Sequence, residues 1–380
     1  MLPLGYPLRN LWRLKGRTAL TIAGFALTTL LVVLMAGFAR GLAETAEGAL
    51  SGDVIYLVGT TGEHDMVRSA IPRGAAEAAA ASLPGAKRVG EQRCVSVEIH
   101  SATRRGNDVG LLRGVTPAAF LVHDRVTLIE GREPTGPYEL LAGRLAHVRL
   151  GQDAADLAVG KTITLENRPW TIVGRFAAPG TVIEAELWGR LDDVLLANNR
   201  VDVSCVVARL ESPKKIPAVR LWAARNATAF EVSLVEEKEL YATLERTLSP
   251  ITGLLWVMAL LVLLGGSFAC ANAMFAAVLA RTKELGTLRS LGFGSISIVL
   301  ALLAEAVLVA ALGGLIGFAL AGRFDAIPVR FPMGAFFLDL SPGVRMLGLA
   351  AALGAGVVGG LLPALRAVRM SLPEALGGRV

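Results

Sequence analysis

The sequence is poor in the residues most catalytic chemistry needs. Of its 380 residues, three are Cys, four are His and 6% are aromatic. The histidines (His64, His100, His123, His147) are scattered, with no HExxH or other metal-ligand spacing. Cys94, Cys205 and Cys270 form no zinc-type pattern. Cys270 lies in an apolar run and reads as a small buried residue, while Cys94 and Cys205 stay open to pairing in an oxidising compartment. There is no GxSxG elbow. Gly160-Lys161-Thr162 ends like a phosphate loop, but that loop needs Gly where Ala155 stands, and the run leads into a strand rather than a helix. Glu184 and Glu186 share one face of an extended segment and are expected to be solvated. The chain is therefore expected not to be an enzyme and to bind no cofactor, nucleotide or metal of its own.

A basic domain is also missing. Residues 41–250 hold 24 Lys and Arg against 27 Asp and Glu, a net of −3, and the rest of the chain carries a net of +9. The surplus lies beside apolar runs, where it orients helices in a membrane. A nucleic-acid partner is not indicated, despite the isoelectric point near 9.5.

Apolar length is what the chain has. It is 53% hydrophobic with a mean hydropathy of +0.54. Residues 1–17 interleave Arg9, Arg13, Lys15 and Arg17 with Leu8, Leu11, Trp12 and Leu14, the pattern of an interfacial helix. Residues 18–40 contain 22 uncharged residues, Thr18 to Ala39, closed by Arg40, enough for a first transmembrane helix. Residues 251–280 are a second span without a charge, 295–322 a third interrupted by Glu305, and 343–365 a fourth rich in Gly. Small residues on such helices favour helix–helix contact. Cations at residues 1–17, 281–289 and 366–369 place both termini in the cytoplasm. The expected fold is thus membrane α-helical: four transmembrane helices, with a large α+β extracytoplasmic domain over 41–250 between helices 1 and 2, a short outer loop over 323–342 and a cytoplasmic tail over 366–380.

Inside 41–250, Asp53–Val58 alternates as a strand and Arg73–Ser82 is an Ala-rich helix. Strands are expected at Val95–His100, Val109–Arg113, Thr162–Glu166, Trp170–Val173 and Val203–Leu210. Leu42–Leu50 should continue the first span, and Glu231–Arg246 should run helically into the second. These would be helical stalks.

Residues 281–294 are the stretch around which the rest is arranged. A charged hinge of about a dozen residues between two spans must lie at one membrane face, held by a helix on each side. Arg281 and Glu284 stand three apart, and Leu285, Leu288 and Leu291 repeat at the same interval, giving a short amphipathic helix closed by Gly292-Phe293-Gly294. Glu305 is the one carboxylate deep in a span. It is expected to hydrogen-bond a neighbouring helix near the inner boundary rather than serve a proton relay, since the spans offer no other intramembrane charge.

The hinge resembles the signature of FtsX-like, or MacB-like, permeases of ATP-binding cassette transporters. Arg281, Glu284, Leu285, Gly286, Leu288, Arg289, Ser290, Leu291 and Gly292 match it, with Glu305 and Gly313-Gly314 in the next span. Pro363, Ala364, Ala367, Arg369, Pro373 and Leu376 resemble the family's C-terminal pattern, and Glu130-Gly131-Arg132, Gly143-Arg144 and Thr171-Ile172-Val173-Gly174 its outer-domain turns. The resemblance implies a transporter permease whose residues Arg281, Glu284, Leu285, Gly286, Leu288, Arg289, Leu291 and Gly292 engage a separate ATP-binding subunit, which holds the ATP and Mg. It implies a homodimer in the bacterial inner membrane, in contact with lipids and open to a periplasmic adaptor. ATP would drive motion of the outer domain for export or extraction of a lipid, lipoprotein or hydrophobic compound. The alternative it implies is an FtsX-like scaffold that activates an outer partner such as a cell-wall hydrolase. A membrane-anchored enzyme is the least supported reading, because residues 41–250 lack a convergent catalytic set.

Overall fold

The computed structural model describes residues 15–47, 52–60, 65–325, 327–331 and 334–370. The interfacial helix expected over 1–17 lies outside them save for its last three residues, as do His64, Pro373 and Leu376. Two compact units emerge. One gathers residues 1–40, 250–327 and 338–380, and the other gathers residues 41–249 and 328–337.

The first unit is helical. Helices α1 (Lys15–Glu47), α5 (Glu237–Ala280), α7 (Ser295–Ala321) and α8 (Pro342–Arg369) supply the four stretches among the described residues long and apolar enough to cross a membrane. The short α6 (Thr282–Ser290) joins α5 to α7. Without a hydrophobic drive between helices in lipid, close backbone approach must hold such a bundle. At Gly313 of α7 an added Cβ would stand 2.5 Å from the Phe25 Cβ of α1; at Gly359 of α8 it would stand 2.5 Å from the Ser267 carbonyl oxygen of α5. Pro250, inside α5, has no N–H to offer the carbonyl of Arg246, which leaves a weak point in the ladder at the residue where one unit gives way to the other.

The second unit is α+β. A ten-stranded mixed sheet runs in the order β10–β1–β9–β2–β3–β8–β5–β7–β4, with β6 beside β7. The strands are β1 (Val54–Gly59), β2 (Val95–Arg105), β3 (Asp108–Val115), β4 (Thr127–Gly131), β5 (Glu139–Gly143), β6 (Thr162–Leu165), β7 (Arg168–Ala177), β8 (Leu187–Arg190), β9 (Cys205–Arg209) and β10 (Val232–Glu236). Among the described residues only β3 with β8 and β5 with β7 pair in parallel. Side chains alternate between faces. Ile55, Leu57, Val97, Ile99, Leu112, Val206 and Ala208 build the main core with Ala76 and Ala79 of α2 (Arg73–Ser82), Leu191 and Val194 of α3 (Leu191–Ala197), and Val219 and Ala223 of α4 (Ile216–Phe230). Val54, Tyr56, Val58, Cys205 and Val207 point the other way, into a second core with Val122.

Four sequence-based expectations need correction. Residues 232–236, expected to be helical, form β10. Glu231 adopts a left-handed φ of 54°, which separates them from α4, and β10 then satisfies the open backbone of β1 residue for residue. The single strand expected over Val203–Leu210 breaks at Ser204, whose Oγ accepts from the His100 N–H at 2.9 Å. The short loop expected over 323–342 contains a hairpin, β11 (Pro328–Phe331) and β12 (Gly334–Phe337), which belongs to the second unit, where Ala335 packs with Leu145 and Ala185. Glu184 and Glu186, expected in solvent, are both buried. Cys94, Cys205 and Cys270 are free thiols.

Candidate coupling site and the buried charge cluster

Helix α6 starts at Arg281, where the backbone leaves the α5 conformation with φ −122° and ψ 19°. Leu285 and Gly286 are buried, and Leu285 packs with Met274 and Val278 of α5 and Ile298 and Leu302 of α7. Leu288 and Arg289 are half-buried. The apolar stripe expected along the helix ends there: Leu291 is 71% exposed. Lys283, Glu284, Thr287 and Ser290 also face outward. Gly292 takes a φ of +89°, a conformation open to Gly at little cost, and reverses the chain into α7.

Both arginines of this hinge turn inward. Arg281 is buried; its Nη2 donates to Glu305 Oε1 at 2.7 Å and its Nε to the Ala277 carbonyl at 3.3 Å. Arg289 Nη1 donates to the Met370 carbonyl, just beyond α8. So the Glu305 carboxylate bonds a neighbouring element, and its partner is a hinge residue. The structure brings Arg281, Leu285 and Glu305 together and leaves Glu284 and Leu291 on the outer surface.

The α+β domain holds a second group of charges, which no spacing in the sequence announces. Glu98 of β2 and Arg113 of β3 lie on the face opposite the main core. Arg113 Nη1 meets Glu98 Oε2 at 2.8 Å, and its Nε and Nη2 fork onto Glu186 at 2.7 and 2.8 Å. Trp188 Nε1 donates to Glu186 Oε2 at 3.0 Å, and His123 Nε2 stands 3.0 Å from Glu98 Oε1. Burial alone would raise the Glu98 pKa, but His123 and Arg113 overturn it and hold the carboxyl well below its usual range. Glu186 is lowered against the same burial, chiefly by Arg113. Burial lowers the His100 pKa, and Arg113 adds to it. The neighbouring Glu184 carboxyl is raised by burial, with the Arg144 Nε 2.9 Å away working against it.

Glu98, His100 and Cys205 offer donor atoms within 4.8 Å of one another. As a cation site the set fits poorly. Arg113 and His123 already take both Glu98 oxygens, and burial pushes the Cys205 thiol well up, away from the thiolate a metal requires. Gly160-Lys161-Thr162 is a turn into β6: Gly160 N–H donates to the Ile172 carbonyl at 2.7 Å, so this backbone serves the sheet.

A model of the MacB-like periplasmic core domain matches residues 18–222, and one of the FtsX-like permease C-terminal region matches residues 256–372. The chain belongs to the FtsX-like, MacB-like permease family. The pyoverdine export ATP-binding/permease protein PvdT of Pseudomonas fluorescens is 25% identical over 97% of this chain and 58% of its own length. The macrolide export ATP-binding/permease protein MacB of Rhodospirillum rubrum is 30% identical over 57% of this chain and 35% of its own. The chain thus spans little more than half the length of the PvdT relatives. The solved periplasmic region of MacB from Actinobacillus actinomycetemcomitans aligns over 55% of this chain and 97% of that one, with a TM-score of 0.37 and 14% identity.

Proposed function

We propose that this permease is the membrane subunit of an ATP-binding cassette transporter, and that a separate ATP-binding subunit drives it through α6. The observation that carries the reading is the buried pair of Arg281 and Glu305. It fastens the first residue of the hinge to the third span, so a displacement of α6 must move α7 or break the pair. In a low-dielectric setting, separating such a pair leaves an uncompensated charge, which costs about 3–5 kcal/mol. The link therefore favours concerted movement over local bending.

Exposed Lys283, Glu284 and Leu291 form the docking surface in this account, and Arg281, Leu285 and Glu305 transmit. Motion then reaches the α+β domain along α1 and α5, each of which carries residues of both units. The domain lies outside the inner membrane and the termini inside. Two copies of the chain act together. The work done is export or extraction of a lipid, lipoprotein or other hydrophobic compound, in line with the export functions named for PvdT and MacB.

The test is co-purification of the tagged full chain from membranes with the ATP-binding subunit of the same organism that partners it. The unaltered chain should retain the ATPase. Glu284→Lys combined with Leu291→Asp should lose at least nine-tenths of it while the permease still inserts and unfolds at the same temperature. Full retention by that double variant would remove α6 as the docking element.

A further inference from the structure

The face of the sheet that carries the charge cluster is not fully covered. Between it and the β10–α5 segment lies a cavity of about 720 Å³, wholly within the α+β domain. Cavities of 300–1,000 Å³ are the range that encloses small organic ligands. Leu111 of β3, Ile183 and Leu240 of α5 are among the apolar residues that line it.

The charged groups around it are not equivalent. Asp65 and Glu239 are exposed to water. Arg113 and Glu186 satisfy each other in the cluster described above. Arg149, at the end of the helical turn Ala146–Arg149, stands apart: its Nε is buried and has no hydrogen-bond partner among the described residues. A buried donor left unpaired costs about 1–3 kcal/mol, more when charged. Burial also lowers the Arg149 pKa, with Glu186 opposing and Arg330 and Arg113 reinforcing, so the guanidinium is charged in a place that disfavours it. An acidic group would relieve both penalties, because a guanidinium fork matches a carboxylate or phosphate.

We infer that this cavity binds an amphipathic organic acid, its carboxylate or phosphate on Arg149 and its apolar body against the apolar lining residues Leu111, Ile183 and Leu240. The inference rests on the proposed transport function only in taking this ligand for cargo. Binding itself needs neither nucleotide nor ATPase, so it fails or succeeds independently of coupling.

The experiment is equilibrium dialysis of radiolabelled decanoate against the full chain in nanodiscs of zwitterionic lipid, with empty discs subtracted. Decanoate methyl ester is the neutral comparison. The chain should bind decanoate saturably, at one per chain and at least tenfold more tightly than the ester. Arg149→Gln should weaken decanoate at least tenfold and leave the ester unchanged. Ser233→Trp, which fills the cavity from β10, should abolish both, with thermal unfolding confirming that each variant is folded. Repeating the assay with anionic phospholipid in the discs separates two sources: displacement of decanoate identifies a lipid headgroup as occupant, and no displacement a dissolved acid. Either outcome supports the site once the Arg149 dependence holds. Equal affinity for acid and ester, or undiminished decanoate binding by folded Arg149→Gln, would overturn it.

Discussion

Arg113 is surrounded by more than it can be removed from cheaply. It is 4% exposed, and two carboxylates depend on it. Arg113→Met keeps much of the side-chain length but leaves Glu98 and Glu186 buried with less positive charge between them. Such a loss costs about 3–5 kcal/mol. The expected outcome, read by chemical denaturation of the α+β domain through tryptophan fluorescence, is an unfolding free energy lowered by that amount. A shift under about 1 kcal/mol would mean that water reaches the carboxylates. His100 gives the cluster a pH dependence. Its folded pKa lies below the ordinary 6.5 because burial and Arg113 disfavour the cation. The unfolded chain then binds the extra proton first, so stability is complete above about pH 6.5 and declines as pH falls towards the folded value. Glu98 and Glu186, held below 4.5, add a second loss only under that pH. Thermal unfolding at pH 7.5 and 5.5 should show the first decline, and His100→Gln should flatten it. Equal slopes for the two proteins would assign the decline to another group.

At the scale of elements, the legible parts of the sequence are those with a local cause. The Ala-rich run Arg73–Ser82 is a helix between the bounds its composition suggests. The alternation of Val95, Val97 and Ile99 with Ser96, Glu98 and His100 gives a strand with one apolar and one polar face. What alternation does not reveal is where the polar face ends up. Glu98 meets Arg113 because β2 and β3 are neighbours, and Glu186 joins them only because β8 pairs in parallel with β3. That last contact is set by topology. The same holds for β10: its short Val232-Ser233-Leu234-Val235 run pairs along the edge of β1, and only the charged residues after it, from Glu237, are helical. In the hinge, the spacing of Arg281 and Glu284 suggests a local pair along one helix, whereas burial chooses a partner 24 residues away in Glu305. Helix packing in the first unit gives a further prediction. Gly313→Val places its branched carbons where Phe25 of α1 already sits, and the clash involves backbone as well as side chain. The variant should unfold at least 5 °C lower in detergent, against about 2–4 °C per kcal/mol for a folding unit of about 150–250 residues. An unchanged unfolding temperature would show that α1 and α7 do not need this close approach.

Two of the four chain crossings between the units, at Arg40–Gly41 and Ser249–Pro250, lie inside helices α1 and α5. A helix carries displacement along its axis better than a linker does. Family membership supplies the expectation that the power source is an ATPase, and in the proposed account it pushes on the exposed side of α6. No single residue in the chain needs to touch ATP for this account to work. It does require that the push be transmitted, and transmission depends on Glu305. Glu305→Gln keeps the shape, removes the charge and leaves the exposed face of α6 untouched. The direct test is ATPase turnover in membranes containing the full chain and its partner ATP-binding subunit, with either the native Glu305 or Gln in its place. The prediction is that the ATPase still co-purifies with the variant, while the influence of the permease on its turnover falls at least fivefold. If the variant binds the ATPase and modulates its turnover as the native chain does, the Arg281–Glu305 pair is a packing detail and the proposed coupling route is wrong.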